Sequence, residues 1–180
     1  YVVDADAGVP RKVAPGTAPV WSPDGRYLYA VLGAFGLFRV AVDNGIVEPL
    51  FEGQFPVVTP DGSRIIYAGR QPGLFMRSLQ GDVSNNAEER LVDDYVLPVG
   101  GFVPVRGGVI YTGMTPDGKP RAFRFVDVSS RQARDIAPLP PLLGLGLTVS
   151  PDRRQLLYSA NAADSSVDLL QLNFEKAEAP

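Results

Sequence analysis

Short apolar runs recur along the chain, each behind a turn. They are Tyr27-Leu28-Tyr29-Ala30, Arg64-Ile65-Ile66-Tyr67, Gly108-Val109-Ile110-Tyr111 and Gln155-Leu156-Leu157-Tyr158. Each follows a proline: Pro23, Pro60, Pro104 or Pro151. Set on those prolines, the segments align without a gap. Leu28, Ile65, Val109 and Leu156 share one position; Ala30, Tyr67, Tyr111 and Tyr158 share the next but one. Runs this short, bounded by turn residues and rich in β-branched and aromatic side chains, predict buried strands. The prolines stand 37, 44 and 47 residues apart. Self-similarity at that period predicts a repeat architecture.

Each repeat reads as four strands. In the best preserved, Pro19-Val20-Trp21 is the first strand and Ser22-Pro23-Asp24-Gly25 the turn. Pro fixes φ, Asp caps the turn and Gly accepts positive φ. Tyr27 to Leu32 is the second strand and Leu37 to Val42 the third. Asp43-Asn44-Gly45 is a hairpin signal. Ile46 to Phe51 is the fourth strand, with Pro49 marking an edge. The second repeat follows the same order through Thr59-Pro60-Asp61-Gly62, with a polar insertion from Gly81 to Glu88. In the third, Val105-Arg106-Gly107 replaces Asp-Gly, and a new Pro116-Asp117-Gly118 stands in the second hairpin. The fourth carries Ser150-Pro151-Asp152-Arg153 and a strand from Val167 to Leu172. Tyr1 to Asp4 and Arg11 to Val13 read as the third and fourth strands of a preceding or closing blade. Asn86 to Arg90 allows one helical turn at most. The fold class expected is all-β: an antiparallel β-propeller of about four blades, near 17–53, 54–98, 99–141 and 142–174. It is either a whole small ring, closed by strands from both termini, or part of a larger one of six to eight blades. The start at Tyr1 rather than Met favours the larger ring.

Composition agrees. Of 180 residues, nineteen are glycine and seventeen proline, as expected for many strands joined by tight turns. The formal charge is −3 with acids and bases interspersed, so no basic stripe favours nucleic acid or an anionic membrane. No apolar stretch is long enough to span a bilayer as a helix. Cysteine and histidine are both absent. That removes disulfides, thiolate metal sites, the commonest metal ligand and the commonest general base. Cytosol and periplasm both stay open.

The three turns Ser22-Pro23-Asp24-Gly25-Arg26, Thr59-Pro60-Asp61-Gly62-Ser63 and Ser150-Pro151-Asp152-Arg153 resemble the WD40-like repeats (PD40) of TolB-type β-propellers. Four further segments resemble the closing blades of bacterial propellers fused behind winged-helix regulators or Ser/Thr kinases. They are Phe125-Val126-Asp127, Ala137-Pro138-Leu139-Pro140, Gly146 to Asp152 and Asp168 to Phe174. Arg153 stands where such turns usually have Gly.

Candidate chemistry is sparse. Asp24, Asp61 and Asp152 recur in register and are read as turn caps rather than a ring of cation ligands. Asp93-Asp94, ahead of Tyr95, is read as a solvated link rather than a metal or acid–base pair. Asp4 and Asp6 are read as a solvent-facing edge. Lys12, Lys119 and Lys176 lie in polar surroundings that would not make any of them a base for a serine. Gly100-Gly101, Gly107-Gly108 and Gly144-Leu145-Gly146 lack the helix of a phosphate loop and are read as close backbone approaches. Trp21 and the second-strand tyrosines are expected to pack between blades rather than line a pocket. Arg131, Arg134, Arg153 and Arg154 are read as a soluble rim rather than an anion site.

The expectation is therefore a non-catalytic protein- or peptide-interaction module, with no cofactor or metal, belonging to a larger regulator. The resemblance places any DNA-binding or kinase activity outside this chain. The alternatives are the accessory propeller of a peptidase and a small-ligand or metal-binding propeller enzyme. The polar ending Glu175 to Pro180 reads as a C-terminus, which counts against a following hydrolase domain.

Overall fold

The computed structural model describes residues 1–3, 5–6, 8–97, 100–140, 143–152 and 154–160. The predicted strand Val167 to Leu172 and the ending Glu175 to Pro180 lie outside them. The described residues contain no helix; they form four antiparallel sheets. The first is β1 (Thr17–Trp21), β2 (Tyr27–Leu32), β3 (Gly36–Ala41) and β4 (Val47–Glu52), in that spatial order. The second is β5 (Gln54–Val58), β6 (Arg64–Ala68), β7 (Leu74–Ser78) and β8 (Glu89–Val92). In the third, a short β9 (Tyr95–Val96) precedes β10 (Phe102–Val105), β11 (Gly108–Met114), β12 (Pro120–Asp127) and β13 (Ala133–Pro138). The fourth pairs β14 (Leu143–Val149) with β15 (Leu156–Ala160). The anticipated preceding strands reduce to one bridge, Val2 with Arg11. The chain divides into two compact units: Tyr1–Gln71 with Phe75–Arg90, and Pro72–Leu74 with the residues from Leu91 onward.

In the first unit, pairing fixes which side chains share a face. Leu28 opposes Val40 and Ala30 opposes Phe38; between them, Tyr29 opposes Arg39 and points the other way. Both faces are largely covered, so β2 reads as a continuous apolar run rather than an alternating one. The Tyr29 face, with Leu37 and Leu50, packs on Val58, Ile65, Tyr67 and Phe75 of the second sheet. Each such large side chain contributes about 1.5–3 kcal/mol by leaving water. Val83, from the insertion that reads as polar, is 1% exposed in the same core.

The second unit repeats the relation. Ile110 and Phe123 of the third sheet pack on Leu156 and Tyr158 of the fourth. The Phe123 and Tyr158 rings lie 5.0 Å apart.

Pro104 differs from its expected role. Leu28 pairs with Trp21, Ile65 with Val58 and Leu156 with Val149, so Pro23, Pro60 and Pro151 occupy the turns between those partners. Val109 instead pairs with Pro104 itself, inside β10. The third hairpin closes tightly through Arg106-Gly107, with Gly107 at φ 76°. The second strands are equivalent, while Pro104 is an edge-strand proline whose missing N–H disturbs no ladder.

The first strands carry a feature that periodicity does not signal. Register shifts interrupt β1 between Thr17 and Val20, β5 between Gln54 and Val57, and β14 between Leu143 and Leu147. The bulged residues include Ala18 and Phe55, both at φ 50°, and Gly146 at φ 111°. A left-handed backbone costs a non-glycine residue about 1–2 kcal/mol. Three sheets thus interrupt the first strand at the same place, with one extra residue in β1 and β5 and two in β14, and the irregularity bends the strand.

Candidate interaction face

The recurring carboxylates are spent on the turns. Ser22 Oγ donates to Asp24 at 2.6 Å and accepts from the Tyr27 N–H at 2.9 Å, while Asp24 accepts from the Arg26 N–H at 3.1 Å. Thr59 with Asp61 and Ser150 with Asp152 repeat this, each hydroxyl donating at 2.5 Å. Thr115 and Asp117 do so again in the new second-hairpin turn. Hydrogen bonds from the Ser22 hydroxyl and the Arg26 backbone hold the Asp24 carboxyl down at about 2; those from Thr59 and Ser63 do the same for Asp61. Such groups are ionised acceptors, not general acids near neutral pH. The reading of these residues as caps agrees with this geometry. Among the described residues, no group of three or more acids could hold a metal ion.

A second set of polar groups bridges strands. Arg39 in β3 opposes Tyr29 and pairs with Glu48 of β4 at 2.7 Å. Arg77 Nε donates to the Tyr67 hydroxyl at 3.0 Å, and that hydroxyl donates to Glu88 at 2.6 Å. Arg124 opposes Tyr111, pairs with Asp135 at 2.7 Å, and shares Asp94 with the Tyr111 hydroxyl. Burial first, then the carboxylate partner, pushes the Tyr67 and Tyr111 phenols well above their ordinary range, so both stay neutral donors. Asp94 is therefore not part of a solvated link. Its carboxylate is drawn inward because a buried phenol and a mostly buried guanidinium both need an acceptor. Sequence spacing could not show this, because Asp94 and Arg124 are far apart in the chain.

A Cβ on Gly100 would sit 3.1 Å from the Gly146 Cα, a close approach of two backbones. Arg134 lies over the Phe125 ring at 5.3 Å. Arg131 adopts φ 61° in the turn before β13, and the Arg154 N–H caps Asp152. Lys119 pairs with Asp117 at 2.8 Å. Lys12 and Asp6 are exposed. Asp4, Arg153 and Lys176 lie outside the described residues.

What the first unit leaves open is apolar. On one face of the first sheet, pairing aligns Trp21, Leu28, Ala30, Leu32, Phe38, Val40, Val47 and Pro49. Val2, Val13 and Ala14 cover its middle, and Arg11 anchors this segment by donating to the Val42 carbonyl at 2.7 Å. Recesses of about 330 and 430 Å³ flank the covering segment, both touching Ala14, Pro15 and Phe38. At the margins Trp21 is 48%, Leu32 57% and Val47 49% exposed. Trp21, about half exposed at one margin beside a recess that Tyr1, Val2 and Val3 also line, thus departs from the expected packing between blades. Of the second-strand tyrosines, Tyr29, Tyr67, Tyr111 and Tyr158 are buried as expected, while Tyr27 is half-buried.

No family model matches the chain, and no curated protein matches its sequence. Solved structures do match its fold. TolB from Acinetobacter baumannii is 18% identical with a TM-score of 0.73, over 96% of this chain and 45% of that protein. A putative TolB from Agrobacterium tumefaciens is 16% identical at TM-score 0.69, over 92% and 61%. A gluconolactonase from Xanthomonas campestris, XC5397, is 13% identical at 0.62, over 88% and 61%. The chain thus spans less than two thirds of each of these proteins. Its sheets are blades of an all-β, antiparallel propeller fold, and that fold is TolB-like.

Proposed function

We propose that this chain is a non-catalytic protein-interaction module and one part of a larger regulator. The observation that carries the reading is the apolar margin of the first sheet, where Trp21, Leu32 and Val47 stand about half exposed around a middle covered by Val2, Val13 and Ala14. Exposed apolar surface of this kind, gathered on one face and rimmed by polar turns, is the mark of a contact surface. The TolB-like fold supports it. The polar chemistry supports it as well, since the recurring acids and arginines are committed to turns and cross-strand pairs. An enzyme on this fold, as the gluconolactonase neighbour is, has less support here: the chain has no histidine, and its capped carboxylates are held ionised. Any DNA-binding or kinase activity belongs to other parts of the regulator.

The test uses the complete encoded protein. Partners retained by the immobilised protein are identified, purified and titrated against wild type and Val47→Glu. Val47 is half exposed, so a charge there disturbs contact more than folding. The expected outcome is at least a tenfold loss of affinity. Equal binding by the variant, or turnover of a sugar lactone by the purified protein, would count against the reading.

A further inference from the structure

At the turn end of the first sheet, three chain segments border a recess of about 460 Å³ that shares no residue with the apolar ones. The segment ahead of β1 supplies Arg11. The β1–β2 turn supplies Gly25 and Arg26, and the β3–β4 turn supplies Asp43 and Asn44. Backbone pairing fixes this meeting. The Val42 N–H donates to the Arg26 carbonyl at 3.0 Å, and Arg11 donates to the Val42 carbonyl at 2.7 Å. The side chains keep donors in reserve. Arg11 commits one terminal nitrogen to Val42. Arg26 commits its Nε to Asp24 at 2.7 Å, and its side chain is 77% exposed. Asn44 commits its Oδ1 to the Ile46 N–H at 2.9 Å, which leaves its Nδ2 to donate.

From this convergence we infer that the recess is a binding site for a single carboxylate group, carried by a small organic acid or by the C-terminal end of a peptide. It is separate from the apolar margin and does not depend on a contact there. Two features select the ligand. First, the spare donors are two guanidinium forks and one amide, brought together from three segments. A forked donor matches the flat, two-oxygen geometry of a carboxylate. Second, acids balance the cations. Asp43 borders the recess itself, and Asp24, already accepting from the Ser22 hydroxyl, the Arg26 N–H and the Arg26 Nε, offsets Arg26. The site therefore has no surplus positive charge for a dianion, and Asp43 repels phosphate more than it repels a carboxylate. What the recess offers is directed hydrogen bonding, with room beyond the carboxylate for the group that carries it.

The test is saturation-transfer NMR on the complete encoded protein, with N-acetyl-alanyl-alanine, its C-terminal amide, propionate and inorganic phosphate as probes. The variants are Arg11→Gln, Arg26→Gln and Asp43→Asn, each checked by circular dichroism. Arg11 also anchors its segment to Val42, so Arg26→Gln, at an exposed side chain, keeps the test open if Arg11→Gln loosens the fold. The expected result is saturable binding of a free acid, none of the amide, and a loss of about tenfold in affinity in either arginine variant. Phosphate should displace the acid from Asp43→Asn and not from wild type. Propionate binding as well as the dipeptide assigns the site to a small acid; propionate binding far more weakly assigns it to a peptide end. The inference is overturned if neither acid binds saturably, if the amide binds like the acid, or if both folded arginine variants bind like wild type. Equal displacement by phosphate from wild type and Asp43→Asn overturns it too.

Discussion

The Phe51 ring of β4 lies 4.8 Å from the Tyr67 ring of β6, tilted by 39°, and so ties the outer strand of the first sheet to the second strand of the next. Arg77 lies over the other partner of this cluster, 4.6 Å from the Phe51 centroid, while its Nε reaches the Tyr67 hydroxyl. One aromatic pair therefore sits between two sheets, with a cation joined to both rings.

Removing either ring should loosen the first unit. Tyr67 is fully buried, so Tyr67→Ala is expected to cost about 3–5 kcal/mol by lost burial and a cavity. A double-mutant cycle with Phe51→Ala should return a coupling of about 0.5–1.5 kcal/mol. Urea unfolding of the four proteins measures both. A coupling of zero would mean the rings only share a neighbourhood.

The Asp94 network makes a sharper prediction. Tyr111→Phe removes one donor from a part-buried carboxylate without opening a cavity, and should cost about 1–2 kcal/mol. Arg124→Met removes the cation but keeps an apolar stem. It should cost more than Tyr111→Phe, because Asp94 and Asp135 then lose their shared partner. If Asp94 were a solvated linker residue, Asp94→Asn and Tyr111→Phe would both leave the unfolding midpoint unchanged.

The turn carboxylates set the response to acid. Asp24, Asp61 and Asp127 are held at about 2, below the ordinary value of about 3.9. A carboxyl depressed in the folded state stabilises fully above its unfolded value and loses that contribution as pH falls through its folded one. Thermal midpoints should therefore hold above about pH 4 and decline between about 4 and 2. Asp24→Asn with Asp61→Asn should shrink that decline, while leaving the other turn carboxylates to titrate. An unchanged slope would show that these caps do not couple to folding.

Much of the architecture was legible in the chain because it depends on local chemistry repeated in register. Ser-Pro-Asp-Gly fixes a turn by itself, and Tyr27 to Leu32, a short apolar run between turn residues, reads as a buried strand. The misreadings share a cause. Pro104 aligns with the turn prolines by count, but the count cannot see a hairpin that closes early. Val83 sits in a stretch that looks polar, and only the packed sheets supply the apolar neighbours it joins. Asp94 reads as solvent-exposed until the fold brings Tyr111 and Arg124 to it. Trp21 reads as a packing residue, since composition does not reveal which face remains uncovered.

The order of strands, the turn chemistry and the role of the recurring aspartates were set by the sequence alone, because each depends on residues a few positions apart. The arginine networks, the bulged first strands with Ala18 and Phe55 in left-handed backbone, and the exposed apolar margin at Trp21, Leu32 and Val47 were decided only in three dimensions. Each requires two or more distant segments to meet, and a hydrophobic pattern specifies that a face must be buried without specifying what buries it.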